Sequence, residues 1–399
     1  MSLSRRQFAL GLAGLPAAAS LAALPSSDAV ARSRDLAGSA AAARDRFGLP
    51  ALAVLAARDG AVLEQAAVGV RVRGGASPVS VEDRWHLGSC AKAMTATLMA
   101  RFVEKGLIAW DAPLAEMLPG LRAGMDPVAA RITLHQLLTM TGGLSENPTE
   151  VVAGGGPSFL SGTSGLVRRL RAIEGLAPDD RARRRLIAER VLSAPPQKPT
   201  GTFGYSNTGY IILGAIAEDR GGDAFETLLE REVFGPLGIG SFGFGAPGSD
   251  HVVDQPRGHE ARRAGPALPP QNPAADLPAF MRPAGGMNLS LNDWLRFVQD
   301  HLDGETDKGK LLTRETYVHL HTVAPGSGQP YACGWGAVTH GGRRLLTHTG
   351  NNTLWTATVR AYPASGHVFL YAANDGRVSE SSRAFDQVRA DLEARHPDF

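Results

Sequence analysis

Apolar positions along this chain follow two periods, and the change from one to the other falls at a Gly-Ser pair. Ala53 to Ala57 and Ala61 to Val70 read as two short strands, with Asp59-Gly60 as the turn between them. Trp85-His86-Leu87 leads into Gly88-Ser89, after which Met94, Leu98 and Phe102 recur every four residues and predict a helix that Gly106 stops. Thr133-Leu134-His135-Gln136 is a capping box for a short helix closing at Gly142-Gly143. Residues 179–193 are polar and arginine-rich, with Arg181, Arg183, Arg184 and Arg185; because Asp179, Asp180 and Glu189 flank them, they read as a solvated helix face. A second capping box, Asp223 to Glu226, is expected to open a helix through Val233. Eight prolines between 246 and 285 predict extended surface chain. Ser290 then caps a helix with Leu291, Trp294, Leu295 and Val298 on one side.

Strand patterns return near the C-terminus, at Ala332 to Val338, Arg343 to Thr347, Thr353 to Tyr362 and Val368 to Ala373, before a final helix from about Ser381 to Glu393. Strands at both ends with helices between them predict an α+β fold: one antiparallel sheet built from the N- and C-terminal segments, flanked by helices, with a mainly helical lobe inserted. The sheet lobe is expected over about 40–88 and 286–399, the helical lobe over about 89–285.

Residues 1–31 are set apart from this scheme. Arg5-Arg6 precedes Phe8 and Leu10, an apolar run broken by Gly and Pro extends to Leu24, and Ala29-Val30-Ala31 offers small residues for cleavage. The arginine pair resembles a twin-arginine signal, so an exported, periplasmic protein with no stable membrane anchor is expected. A net charge of +2 gives no reason to expect nucleic acid as a partner. The two cysteines, Cys90 and Cys333, make no disulfide framework, and Cys90 is expected to be a free buried thiol. His319 and His321 lack acidic or thiol neighbours at metal spacing and read as surface histidines; no metal site and no cofactor is expected.

Three short elements could carry chemistry. In Ser89-Cys90-Ala91-Lys92 the hydroxyl and the amine share a helix face, at a first turn whose free N–H groups suit an oxyanion. The helix dipole and burial both lower the basicity of Lys92, one of only five lysines, toward a value at which it accepts the serine proton. Read alone, the tetrad describes an N-cap serine beside a solvent-facing lysine equally well. In Tyr205-Ser206-Asn207, residues two apart project to one side of an extended segment. Tyr205 is then a general base or acid once cationic neighbours lower its pKa, and Asn207 a donor to a substrate carbonyl. His348-Thr349-Gly350 reads as a small-residue strand edge for substrate, with the N–H of Asn351 as a second oxyanion donor.

In this order the three elements resemble the serine β-lactamase-related family, which includes class C β-lactamases, D-alanyl-D-alanine carboxypeptidases and family VIII-type esterases. Ile132 to Leu144, Pro236 to Ile239, Pro283 to Asn288 and Tyr331 to Trp335 are similar to the family as well, so the resemblance spans about residues 40–375. It implies a β-lactamase/transpeptidase-like fold and an acyl-enzyme on Ser89, with Lys92 and Tyr205 managing its proton. Asn207, His348, Thr349, Gly350 and Asn351 would then bind the substrate, and His348 would position it or relay a proton to Tyr205. His348 stands where β-lactamases of this type usually have lysine, and Asn351 to Trp355 lacks the Gly-rich run of relatives, so Trp355 is expected to narrow or line the pocket. There is no Gly-x-Ser-x-Gly elbow; Gly162-Thr163-Ser164-Gly165 only approaches one. The expected activity is hydrolysis of a small ester or a D-amino-acid amide or peptide bond. The rivals are a true β-lactamase and a non-catalytic penicillin-binding sensor.

Overall fold

A computed structural model of the chain describes residues 35–149, 163–260 and 265–399. The expected signal segment 1–31 and the whole 150–162 stretch, Gly162 included, lie outside the described residues. β1 (Ala51–Arg58) and β2 (Ala61–Gly69) form the expected hairpin. Asp59 and Gly60 both take positive φ, 49° and 78°, the twist that a two-residue turn between right-twisted strands demands. The C-terminal strands are β6 (Gly336–His340), β7 (Arg343–Asn352), β8 (Trp355–Tyr362) and β9 (His367–Ala373). The six join as an antiparallel sheet in the order β2-β1-β9-β8-β7-β6, so β1 pairs with the last strand of the chain, as the α+β reading requires.

β1 is buried on both faces, which explains its continuous apolar run. Leu52, Val54 and Ala56 meet the helices Leu36–Phe47 and Val378–Arg395, while Ala51, Ala53, Leu55 and Ala57 join the main core on the other side. That core packs the helices Lys92–Glu104, Asn207–Gly221 and Leu291–Gly304. Asn207–Gly221 is buried continuously from Thr208 to Glu218 and accordingly shows no polar face in its sequence. A small second sheet, absent from the pattern reading, is formed by β3 (Trp85–His86), β4 (Phe242–Phe244) and β5 (Met287–Leu289) in the order β3-β5-β4. Two or three residues are too few to display alternation, yet β3 is what fixes the approach to Ser89. Among the described residues no helix is long and apolar enough to cross a membrane.

Several local expectations need correction. The 246–285 stretch is not simply surface chain: Asp276, Phe280 and Met281 are buried, and Arg282–Gly285 is a short helix against the core. Arg184 is 1% exposed and forks onto Glu218 (Nη2–Oε1 2.5 Å, Nε–Oε2 3.1 Å), so the helix Asp180–Leu192 is not solvated on every arginine. Asp223 makes no capping box; Ala224 precedes the helix Phe225–Leu229, and Asp223 pairs with Arg231 at 2.7 Å. The Thr133 capping box is present, but its helix ends at Leu138, and Met140 rather than glycine takes the first positive φ. His321 is buried between His301 (2.8 Å) and Glu305 (2.6 Å), and His319 stacks on Trp110 and meets His135 at 3.0 Å; neither is a free surface histidine. Both cysteines are free and buried.

Candidate active site

Every residue from Trp85 to Ala100 is buried except Ser89. Ser89 lies on a 3-10 turn, Gly88–Ala91, with the α-helix beginning only at Lys92, one turn later than the tetrad alone predicts. The tighter turn still stacks positions three apart, and Lys92 Nζ is 3.0 Å from Ser89 Oγ. Gly88 takes φ 51°, and its N–H donates to His86 Nδ1 at 3.0 Å.

The surroundings of Lys92 decide its protonation chemistry. Its side chain is completely buried, and Nζ is held by Asn207 Oδ1 at 2.8 Å and the Ala284 carbonyl at 2.5 Å as well as by Ser89. Burial lowers its pKa from 10.5 to about 7, so near neutral pH an appreciable share is the free amine. A neutral amine has two hydrogens and one lone pair. Asn207 Oδ1 and the Ala284 oxygen are acceptors only, so they take both hydrogens and the lone pair is left facing Ser89. The arrangement makes the amine a base toward that one hydroxyl.

Tyr205 follows the glycine-containing loop that ends at Gly204, and Ser206, not Asn207, caps the helix Asn207–Gly221 by accepting from Gly209 N–H at 2.9 Å. The Tyr205 hydroxyl donates to Ser89 Oγ at 2.8 Å. The expectation that cations lower its pKa is reversed: burial raises it above the ordinary tyrosine range, outweighing the bond to Ser89, and keeps the phenol protonated. Asn207 Nδ2 donates to Asn147 Oδ1 at 3.0 Å, so this side chain orients Lys92.

β7 supplies the facing wall. His348 is buried, its Nδ1 lies 2.9 Å from the Thr349 carbonyl and its Nε2 3.3 Å from the Tyr331 hydroxyl. Burial, and then the Lys92 charge, push it down to about 3, so it is neutral, and its nitrogen partners include no direct bond to Tyr205. Thr349 is exposed. Gly350 runs so close to the nucleophile turn that a Cβ there would overlap the Leu87 carbonyl oxygen and come within 2.9 Å of the Ser89 nitrogen. A Cβ on Gly88 would lie 2.9 Å from the Asn351 nitrogen, so the two amides named as oxyanion donors sit on segments in direct contact. Trp355 neither narrows nor lines the pocket: it is 1% exposed and stacked on His86. Cys90 packs beneath, with Sγ 3.4 Å from the His348 carbonyl, and burial pushes its thiol far above the reactive range.

The structure thus brings Ser89, Lys92, Tyr205 and Asn207 to one point and lays Gly350 and Asn351 against it. Sequence reasoning missed the Ala284 carbonyl, Asn147, Tyr331 and a buried group of His86, Asp276 and Asn352 under the nucleophile turn. The position of His86, three before Ser89, was the one available signal. Among the described residues no group of His, Cys, Asp or Glu is arranged to hold a metal ion.

The chain is similar to "Penicillin-binding protein 4" of Amycolatopsis lactamdurans, at 27% identity over 84% of this chain and 83% of that protein. "Esterase EstB" of Burkholderia gladioli is 29% identical over 51% of this chain and 49% of its own length. The solved D-stereospecific amidohydrolase from a Streptomyces species superposes with a TM-score of 0.66 at 21% identity, covering 87% of this chain and 96% of that one. This likeness identifies the β-lactamase/transpeptidase-like fold. The model of the family described as Beta-lactamase matches residues 38–393, and the chain belongs to that family of serine hydrolases.

Proposed function

We propose that this hydrolase cleaves a small ester, or a D-amino-acid amide or peptide bond, through an acyl-enzyme on Ser89. The observation that carries the reading is the double hold on one oxygen: Ser89 Oγ meets the Lys92 amine at 3.0 Å and the Tyr205 phenol at 2.8 Å. In acylation, Ser89 Oγ bonds to the substrate carbonyl carbon as its proton passes to Lys92 Nζ. The carbonyl oxygen becomes an oxyanion facing the N–H groups of Ser89 and Asn351. Tyr205 then gives its proton to the leaving oxygen or nitrogen as that bond breaks. The resulting phenolate is compensated by the Lys92 ammonium, whose Nζ sits 4.9 Å from the ring centroid. In deacylation, water attacks the ester while its proton goes to the Tyr205 oxygen, and Lys92 returns its proton to Ser89 Oγ. Every group ends as it began.

A neutral His348 provides no fixed cation for a substrate carboxylate, which favours esters and amides over β-lactams, whose carboxylate the usual lysine would meet. The names of the relatives support the same side: one is an esterase, another a D-stereospecific amidohydrolase. The test is a panel of p-nitrophenyl esters, a D-amino-acid amide, a D-Ala-D-Ala peptide and a chromogenic cephalosporin, run on the wild type and Ser89→Ala. Ester or D-amide turnover that vanishes in Ser89→Ala is the expected result; turnover that survives removes the nucleophile. Cephalosporin as the best substrate would favour the β-lactamase, and a stable penicillin adduct without hydrolysis the sensor. We further propose export on the Arg5-Arg6 leader, checked by whether the periplasmic protein starts after Ala31.

A further inference from the structure

Beneath the two oxyanion donors lies a set of polar side chains that the acyl-transfer steps do not use. His86, Asp276 and Asn352 are 1%, 7% and 2% exposed. Each comes from a different part of the fold: His86 ends β3, Asn352 ends β7, and Asp276 belongs to the proline-rich stretch between β4 and β5. Their bonds fix their chemical states. Gly88 N–H donates to His86 Nδ1 at 3.0 Å, so Nδ1 carries the lone pair and the proton of the neutral ring sits on Nε2. Nε2 faces Asp276 Oδ2 at 3.2 Å. Asn352 Nδ2 donates to Asp276 Oδ1 and lies 2.8 Å from His86 Nε2. The Asp276 carboxyl group thus meets both side chains, His86 at Oδ2 and Asn352 at Oδ1. Burial pushes the Asp276 carboxyl up, but His86, Asn352 and the Leu277 N–H together hold it below the ordinary carboxylate range.

The placement follows the reaction. His86 is three residues before the donor N–H of Ser89, and Asn352 is one residue after that of Asn351. One carboxylate therefore links the segments that carry both donors. Gly88 has a left-handed backbone, φ 51°, and the orientation of its peptides is set by what its N–H meets. An acceptor at the place of His86 Nδ1 holds that N–H on the buried side of the turn, and so sets the orientation of the peptide that leads into Ser89.

We infer that His86 and Asp276 are positioning residues of the oxyanion hole, with Asp276 fixing the His86 tautomer and His86 fixing the Gly88 peptide. The inference rests on the acyl-transfer reading of Ser89, and wild-type labelling of Ser89 by a fluorophosphonate checks that reading separately. A positioning role of this kind acts on the tetrahedral state rather than on substrate binding. It predicts a parallel loss in kcat and in affinity for phenylboronic acid, whose tetrahedral adduct places an oxygen in the same hole.

The experiment compares His86→Leu, His86→Asn and Asp276→Asn for kcat and KM on a p-nitrophenyl ester, phenylboronic acid affinity and thermal midpoint. His86→Leu is expected to lower kcat by about 10–100-fold, short of the loss of a whole donor, with KM within about twofold and boronate affinity falling by the same factor. The amide oxygen of His86→Asn reaches the place of Nδ1 and restores most of both. Asp276→Asn, which releases the tautomer, falls between wild type and His86→Leu. Boronate affinity unchanged in His86→Leu overturns the inference, as does a His86→Asn variant of wild-type stability that is no better than leucine. If His86→Leu does not fold, Asp276→Asn decides: a parallel fall in kcat and boronate affinity supports the role, and unchanged boronate affinity refutes it. Were the wild type not labelled by the fluorophosphonate, the function itself would fail, whatever the His86 variants did.

Discussion

Burial holds the Lys92 amine at about 7 against 10.5 for an exposed lysine, and in the proposed mechanism this displacement sets the pH dependence of acylation. The amine accepts the Ser89 proton only when it is neutral, so the rate rises with pH through about 7 and levels above it. From pH 7 down to pH 5 the neutral fraction falls from about one half to about one hundredth, a loss of about 50-fold in acylation rate. No descending limb follows at moderately alkaline pH, because Tyr205 is held above its ordinary range and stays protonated. The assay is stopped-flow acylation by a fluorophosphonate or a p-nitrophenyl ester from pH 5 to 9.5 at constant ionic strength. A linked measurement reads the same group through stability. Between pH 7 and 10.5 the unfolded lysine is protonated while the folded one is largely not, so the unfolded state binds more protons and stability rises with pH. Relative to Lys92→Met, the wild type gains about 1.4 kcal/mol per pH unit in that window, and the difference levels below pH 7, where both states are charged. A rate plateau that persists down to pH 5, a midpoint above 9, or parallel stability curves for wild type and Lys92→Met would each show an ordinary ammonium and remove Lys92 as the base.

Tyr205→Phe removes the proton donor and should lower kcat about 10²–10⁴-fold, with alkyl esters losing more than p-nitrophenyl esters, whose leaving group needs no proton; equal losses across leaving groups would contradict the acid role. Gly350→Ala places a methyl against the Leu87 carbonyl and the Ser89 nitrogen, so β7 must move away from the nucleophile turn. The expected outcome is loss of most activity with the fold retained, read by ester turnover alongside circular dichroism, and near-normal turnover would mean that the close approach is unimportant. Glu218→Gln leaves the buried guanidinium of Arg184 with the more distant Glu226, at 3.7 Å, as its remaining carboxylate. Urea unfolding should show a loss of about 3 kcal/mol with kcat little changed, and a neutral result would mean the ion pair contributes nothing net.

The geometry of the candidate site was legible in the sequence where its residues share a short stretch. Ser89 and Lys92 lie on one face because they are three apart, and Tyr205 and Asn207 reach one cleft because they are two apart on an extended lead into a helix. The sheet assembled from both chain ends was legible too, since β1 and β9 are apolar runs of strand length bounded by turns. What was hidden depended on partners far away in the chain. Arg184 looks like one of four solvated arginines until Glu218 is placed beside it, and His321 looks exposed until His301 and Glu305 enclose it. The Tyr205 shift was read with the wrong sign for the same reason: cationic neighbours were expected to set it, whereas burial, which the sequence does not show, dominates. Asp276 carried no signal at all, because a lone acid among prolines is ordinary surface composition.

These hidden contacts share a geometry that bears on how such a site changes its substrate. Backbone closes on the nucleophile turn from two sides: Gly350 lies against it on one, and a Cβ on Gly285 would come within 2.9 Å of the Gly88 carbonyl on another. The proposed base is held by a backbone carbonyl, and both proposed oxyanion donors are backbone N–H groups. Substitution has little to act on there without displacing a whole segment, so the acyl-transfer apparatus can persist while its surroundings vary. Residues with room to vary sit at the edge, such as exposed Thr349 and the half-buried Asn351 side chain, whose contacts with Trp355 and Thr356 are long at 3.3 and 3.5 Å. Substrate preference in this chain is therefore expected to respond to changes at the rim of β7, at constant reaction chemistry.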